Sequence, residues 1–242
     1  MRYLFFLSLL LVTCNKTTKH MDNYEVFGID VSRHQQIINW DTIAQQQVSF
    51  AFVKATEGEE MVDTFFNKNW LNLKRVAIKR GAYHFFSPTA PVDKQIDLFT
   101  NTVKLQDGDL PPVLDFENTG NLNKKEISKK ISAWLTGIEK HYETKPILYT
   151  NLKLYYKYIA GNITGYPIWI ARYSYSKPHL FLGEDWLFWQ YGNRGELRGV
   201  EGFVDFNVFN GTKSDLDSIS VHIPKPLTYT SQKHIPLINH NQ

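Results

Sequence analysis

Eight short apolar runs recur along this chain, and through most of its length a helical pattern separates one run from the next. The runs are Val26 to Ser32, Ser49 to Ala55, Gly81 to Ser87, Pro112 to Glu117, Pro146 to Asn151, Pro167 to Tyr173, Leu187 to Tyr191 and Phe203 to Phe209. Their near-continuous apolar character fits strands covered on both faces, as in a parallel sheet. Helical patterns lie at Trp40 to Gln46, Phe65 to Lys79, Pro91 to Leu105, Lys124 to Glu143 and Lys153 to Ile159. The clearest is Lys124 to Glu143, where Ile127, Ile131, Leu135, Ile138 and Tyr142 recur at helical spacing and Asn123 with Glu126 forms a capping-box pattern. Strand-helix alternation with eight strands predicts an α/β fold closed into a TIM-like barrel. The last three strands lack convincing helices between them, so the barrel is expected to be irregular: five βα units, then three strands with little helix. A chain of 242 residues with 43% hydrophobic content can build one such domain.

The two ends read differently from the middle. Arg2 precedes the apolar run Tyr3 to Val12, which is short for a membrane span and suited to the apolar stretch of a secretory signal. The only cysteine, Cys14, follows in Leu11-Val12-Thr13-Cys14, which resembles a bacterial lipoprotein box with Thr13 where Gly, Ala or Ser is commoner. Export is expected, with either simple cleavage or a lipid anchor at Cys14, placing the protein in the cell envelope or outside the cell. Residues 1–23 are read as leader and short linker, 24–223 as the barrel, and 224–242 as a C-terminal tail. A net charge of +3 without a long Lys/Arg block gives no reason to expect nucleic acid as a partner. An aromatic share of 14% supplies rings that suit sugar or base faces as well as core packing.

The run Leu110-Pro111-Pro112-Val113-Leu114-Asp115-Phe116-Glu117-Asn118 carries the chemistry. In a strand, residues two apart share a face, so Asp115 and Glu117 point the same way with Cα atoms about 7 Å apart. Neighbouring carboxylates push their pKa values apart and can serve as acid and stabiliser at one pH. The same pair also suits metal ligation, or a strand running out into a solvated loop. Asp30, late in Val26 to Ser32, and Asp205, in Phe203-Val204-Asp205-Phe206-Asn207, occupy other strand ends. Barrel sites collect residues from several strand ends, so the four acids are expected to converge on one mouth.

In these pieces the chain resembles glycoside hydrolase family 25, the lysozymes (N-acetylmuramidases) of phage endolysins, autolysins and secreted wall hydrolases. The resemblance runs through Gly28-Ile29-Asp30-Val31-Ser32, Phe52 to Gly58, Gly81-Ala82-Tyr83-His84-Phe85, Leu114-Asp115-Phe116-Glu117, Ile147 to Asn151, Trp169-Ile170-Ala171-Arg172-Tyr173, Trp189-Gln190-Tyr191 and Val204-Asp205-Phe206-Asn207. It implies a monomeric hydrolase of peptidoglycan glycan strands that needs no metal or organic cofactor. Glu117 matches the general acid, Asp115 the companion carboxylate that stabilises charge or orients the 2-acetamido group, and Asp30 and Asp205 further active-site acids. Tyr83, Tyr149 and Trp189 are candidates for the cleft wall. His84 is read as a satisfied barrel histidine, and Lys54, Glu57, Asp63 and Arg172 as ion pairs or loop anchors. A chitinase-type glycosidase, a catalytically silent wall-binding module and a cation-dependent hydrolase remain as alternatives.

Overall fold

The computed structural model describes residues 24–181 and 185–223. The expected signal segment, Cys14 and the tail from 224 lie outside the described residues. Nine strands form a single sheet: β1 Phe27–Val31, β2 Phe50–Glu57, β3 Met61–Val62, β4 Lys79–Phe85, β5 Val113–Asp115, β6 Ile147–Asn151, β7 Ile168–Ala171, β8 Phe188–Gly195 and β9 Val204–Phe209. Their order is β1-β9-β8-β7-β6-β5-β4-β2-β3, and a further β1–β2 pairing closes eight of them into a barrel. The ninth, β3, is a two-residue addition antiparallel to β2 that the apolar runs did not announce. Seven barrel strands run parallel, whereas β9 is antiparallel to both of its neighbours, β8 and β1.

The helices are α1 Trp40–Ala44, α2 Phe66–Arg75, α3 Val92–Thr102, α4 Lys124–Tyr142, α5 Leu152–Leu154 running into a π-turn at Tyr155–Ile159, and α6 Lys213–Ser218. Among the described residues no helix separates β7, β8 and β9, as the missing helical pattern there predicts. Helix α4 begins as its sequence requires. The Asn123 side chain accepts from Glu126 N–H and the Glu126 carboxylate accepts from Asn123 N–H, a reciprocal cap of which the Asn alone contributes about 1 kcal/mol. It ends where Glu143 turns left-handed at φ 54°. Its buried face is Ile127, Ile131, Trp134, Leu135 and Ile138. The short α6 follows Thr212, whose hydroxyl accepts from Asp215 N–H.

Strand periodicity divides the core into two layers. Side chains pointing outward, such as Ile29, Val53, Ala82, Leu114, Leu148, Ile170 and Val208, pack beneath the helices. Those pointing inward, including Phe50, Phe52, Val113, Ile147, Trp169, Phe188 and Phe209, fill the barrel. Phe52 stacks on Trp169 with ring centroids 4.6 Å apart, and Phe50 meets Phe188 edge-on at 5.0 Å. These large rings fit because Gly28 and Gly81 face them, and a methyl group at either glycine would overlap Phe50 or Phe52. With the lower barrel plugged by aromatics, polar inward positions are left only toward one end.

Near that packed base, Arg80 forms a buried ion pair with Asp109: Nε to Oδ1 is 2.7 Å and Nη2 to Oδ2 is 3.1 Å. Arg80 Nη1 also donates to Trp70 O at 2.8 Å, and the guanidinium lies 4.0 Å from the Trp70 ring. The geometry satisfies a charge that would otherwise be costly to bury.

Candidate active site

Above the aromatic plug lies a cleft of about 230 Å³, lined by Asp30, Lys54, Tyr83, Asp115, Glu117, Tyr149, Trp169, Tyr173, Gln190 and Asp205 among others. All four acids singled out in the sequence meet there. Asp30, Asp115 and Glu117 arrive from the C-terminal ends of parallel strands. Asp205 arrives differently, near the start of β9, and shares the mouth because that strand runs the other way, pairing Asp205 directly opposite Asp30. Strand β5 stops at Asp115, two residues earlier than the expected Pro112 to Glu117, and Glu117 stands at the solvent-exposed rim. The chain stays extended past that point, since Phe116 N–H donates to Tyr149 O at 2.9 Å, so the two carboxyls keep a common face.

The Asp115 and Glu117 carboxyls lie within hydrogen-bonding reach of each other, a contact that raises the Asp115 pKa and lowers that of Glu117 and so favours a shared proton on Asp115. Asp115 is 6% exposed, and its Oδ1 is buried without a hydrogen-bond partner. Burial drives its pKa well above the ordinary carboxylate range, and the charges of Glu117 and Asp30 add to the rise while Lys54 opposes it. The Glu117 pKa is raised by loss of solvent around its carboxyl and then by the charge of Asp30. The two acids therefore titrate as a unit that retains a proton above the normal carboxylate range.

A second pair stands beside the first. Asp30 Oδ2 accepts from Gln190 Nε2 at 2.9 Å and from Asn207 Nδ2 at 2.7 Å, and Asp30 also hydrogen-bonds with Asp205. Burial raises the Asp30 pKa and these hydrogen bonds oppose the rise. Burial, followed by the charge of Asp30, pushes Asp205 up to about 8, so the shared proton belongs to Asp205. The amides are themselves held: Tyr149 Oη and Tyr173 Oη donate to Gln190 Oε1 at 2.9 and 3.0 Å, and Trp169 Nε1 donates to Asn207 Oδ1 at 2.9 Å.

Tyr83 and Tyr149 line the cleft as expected for wall residues. Trp189 does not. It points away from the lumen, is buried in the outer layer against Trp186 and Tyr191, and donates from Nε1 to Arg172 O at 2.8 Å. The tryptophan that reaches the cleft is Trp169, because it shares its inward side with Phe188 and Gln190 while Trp189 falls between those two. Gln190, Asn207 and Tyr173 are further site residues that sat unremarked inside recognised motifs. His84 is a satisfied barrel histidine: Thr56 Oγ1 lies 2.7 Å from Nδ1, Gln95 Oε1 lies 2.9 Å from Nε2, and burial lowers its pKa to about 4. Lys54 pairs with Glu57 at 2.6 Å, and Asp63 anchors a loop by accepting from Arg33 N–H and Phe65 N–H. Among the described residues, no group of three or more His, Cys, Asp and Glu side chains is arranged to hold a metal ion. A second hollow adjoins the cleft and shares Glu117, Tyr149 and Tyr173 with it, adding Asn151 and Ala171.

Comparison with known proteins agrees with this architecture. The sequence profile described as glycosyl hydrolases family 25 matches residues 29–200. YegX of Escherichia coli K12 is 43% identical over 201 residues, covering 81% of this chain and 74% of that protein. Lysozyme M1 of Streptomyces globisporus is 33% identical over 216 residues, covering 83% and 73%. Among solved structures, a family 25 glycosyl hydrolase from Bacillus anthracis superposes with a TM-score of 0.78 at 37% identity, covering 83% of this chain and 96% of that one.

Proposed function

The chain belongs to glycosyl hydrolase family 25, and from that premise we propose that it is an exported muramidase, cutting the β-1,4 bond between N-acetylmuramic acid and N-acetylglucosamine in peptidoglycan. The observation that carries this reading is the pair Asp115 and Glu117: two carboxyls within hydrogen-bonding reach at the mouth of a cleft, the inner one with a buried oxygen that no described residue satisfies. A buried acceptor without a partner is costly unless a ligand completes it.

Glu117, at the junction of the two hollows, is placed to protonate the glycosidic oxygen as the bond to the anomeric carbon breaks. The pair holds a proton that its mutual contact favours on Asp115 in the free protein, and that proton passes to Glu117 when the substrate's acetamido N–H claims the Asp115 carboxylate. Carboxyls that hydrogen-bond to each other are too close to flank a bond as an inverting pair, which needs a gap of about 6.5–9.5 Å for water. The nucleophile in this reading is the 2-acetamido oxygen of the muramic acid, which bonds to the anomeric carbon while the leaving oxygen takes the proton of Glu117. The Asp115 carboxylate accepts the acetamido N–H, and its charge steadies the oxazolinium-like ring. Water then opens that ring and returns a proton to Glu117, so configuration is retained. Asp30 and Asp205 set the charge around the pair, and Tyr83, Tyr149, Trp169 and Tyr173 form the sugar-facing wall.

Digestion of purified peptidoglycan followed by mass spectrometry tests the reading. N-acetylmuramic acid should appear at the new reducing ends, with or without chelator. Fragments ending in reducing N-acetylglucosamine, or chelator-sensitive release, would refute it. Export rests on the segment before residue 24, and intact-mass analysis from the native host should find a mature protein lacking its first residues, with an acylated Cys14 if it is lipid-anchored.

A further inference from the structure

Gln190 is the point at which two tyrosines and an aspartate meet. It lies on β8 and is 3% exposed. Its carbonyl offers two lone pairs and its amide nitrogen two N–H groups. Tyr149 Oη and Tyr173 Oη occupy the carbonyl side at 2.9 and 3.0 Å, which turns Nε2 toward Asp30 Oδ2 at 2.9 Å. Asn207 repeats the arrangement from β9. Trp169 Nε1 can only donate, so it takes Asn207 Oδ1 at 2.9 Å and directs Nδ2 to the same Asp30 oxygen at 2.7 Å. Two amide donors on one oxygen favour the carboxylate over the acid. The buried Asp30 is thus supplied with what a charge needs to persist out of water.

We propose that Gln190 is a positioning residue: oriented by Tyr149 and Tyr173, it holds Asp30 as the fixed negative charge of the cleft, and through that charge governs how firmly Glu117 keeps its proton. The inference rests on the reading of Glu117 as the acid. The titratable groups lining the cleft with Asp30 are His34 just after β1, Asp205 from β9, Lys54 from β2, Tyr83 from β4, Asp115 at the end of β5 with Glu117 beyond it, Tyr149 from β6, and Tyr173 after β7. Lys54 among them is already paired with Glu57. Asp205 carries the proton it shares with Asp30, so Asp30 is the member of that pair whose charge reaches Glu117.

Gln190→Leu keeps most of the volume and removes the donor. Without it, Asp30 shifts toward the neutral acid, its repulsion of a negative Glu117 weakens, and Glu117 gives up its proton at lower pH. Carboxyl ¹³C NMR titration of the substrate-free protein should show the Glu117 midpoint fall by about half a unit or more. In parallel, the alkaline limb of kcat/KM should move to lower pH, and kcat should drop about tenfold with KM little changed. A folded Gln190→Leu protein whose Glu117 midpoint stays in place would overturn the proposal. If that variant does not fold, Tyr173→Phe decides, since it removes one of the two orienting hydroxyls at a side chain that is 56% exposed. Its midpoint should shift in the same direction by a smaller amount, and no shift overturns the proposal equally. Because the titration uses no substrate, a failure of the muramidase reading would show separately, as wild-type protein that releases no muramic-acid ends.

Discussion

Replacing Asp205 with asparagine should make the protein more stable in mild alkali than the native sequence. The Asp205 carboxyl titrates at about 8 in the folded protein, whereas an aspartate in an unfolded chain titrates near 3.9. Between those values the native state holds a proton that the unfolded state has lost. Stability from this group is therefore fully present below about pH 4 and is lost as the pH rises through 8. Taken whole, a gap of about four units at 1.36 kcal/mol each would be about 5–6 kcal/mol. Two features of the site reduce it. Asp205 is only partly buried at the mouth, where water screens its charge, and Asp30 shares the titration, so a net effect of about 1–2 kcal/mol is expected. The amide in Asp205→Asn donates to Asp30 at every pH and removes the dependence. For a domain of this size 1 kcal/mol moves Tm by about 2–4 °C, so thermal unfolding at pH 9 should show the variant about 2–8 °C above the native protein. At pH 5, where the native acid is already protonated, the two should nearly coincide. Parallel Tm-against-pH curves for the two proteins would refute the reasoning.

Glu117→Gln keeps the shape and removes the transferable proton, and hydrolysis should fall by about a hundredfold or more, equivalent to about 2.7 kcal/mol of barrel-top transition-state stabilisation. Activity within a few-fold of native in a folded variant would contradict its assignment. Asp30→Asn deletes the charge and should slow turnover more than Asp205→Asn, which keeps the hydrogen bond; both effects should combine non-additively with Asp115→Asn in kcat measurements. Arg80→Met leaves the Asp109 carboxylate buried beside an uncharged side chain, and urea denaturation should register a loss of about 3–5 kcal/mol with the cleft unaltered. NMR of the first product should show the β anomer at the new reducing end, and an initial α anomer would indicate inversion instead.

The features legible in the sequence were those with a short-range signature. Helix α4 announced itself through its spacing and its Asn123–Glu126 cap, and Asp115 with Glu117 through strand parity alone. What could not be read was whatever depends on register between distant strands. Trp169 and Trp189 both lie in aromatic-rich strands, and only the pairing of β7 with β8 decides that the first faces the lumen and the second the helices. Asp205 was grouped with the right partners for an incomplete reason, because nothing local states that β9 runs antiparallel. Gln190 and Asn207 were passed over because an amide becomes informative only once its neighbours are known. The tyrosine and tryptophan donors that orient them come from two other segments of the chain, β6 and the run through β7 to Tyr173. Helix α6 was a different omission. Thr212-Lys213-Ser214-Asp215 carries a local cap pattern, but the helix it starts follows the last strand and so falls outside the strand-helix alternation.

The position of β9 between β8 and β1 also fixes when the protein can become active. Asp30 and Asn207 are 177 residues apart in the chain, and no shorter segment brings them together. A ribosome still holding the last strand leaves β1 with an open edge, Asp30 without one of its amides, and no opposing carboxylate. Pairings of such sequence separation form late and slowly, since the loop they close must first lose its freedom. Every earlier, partly folded form lacks a complete cleft. A protein of a wall-hydrolase family is in this way kept inert through synthesis by the order in which its own barrel can shut.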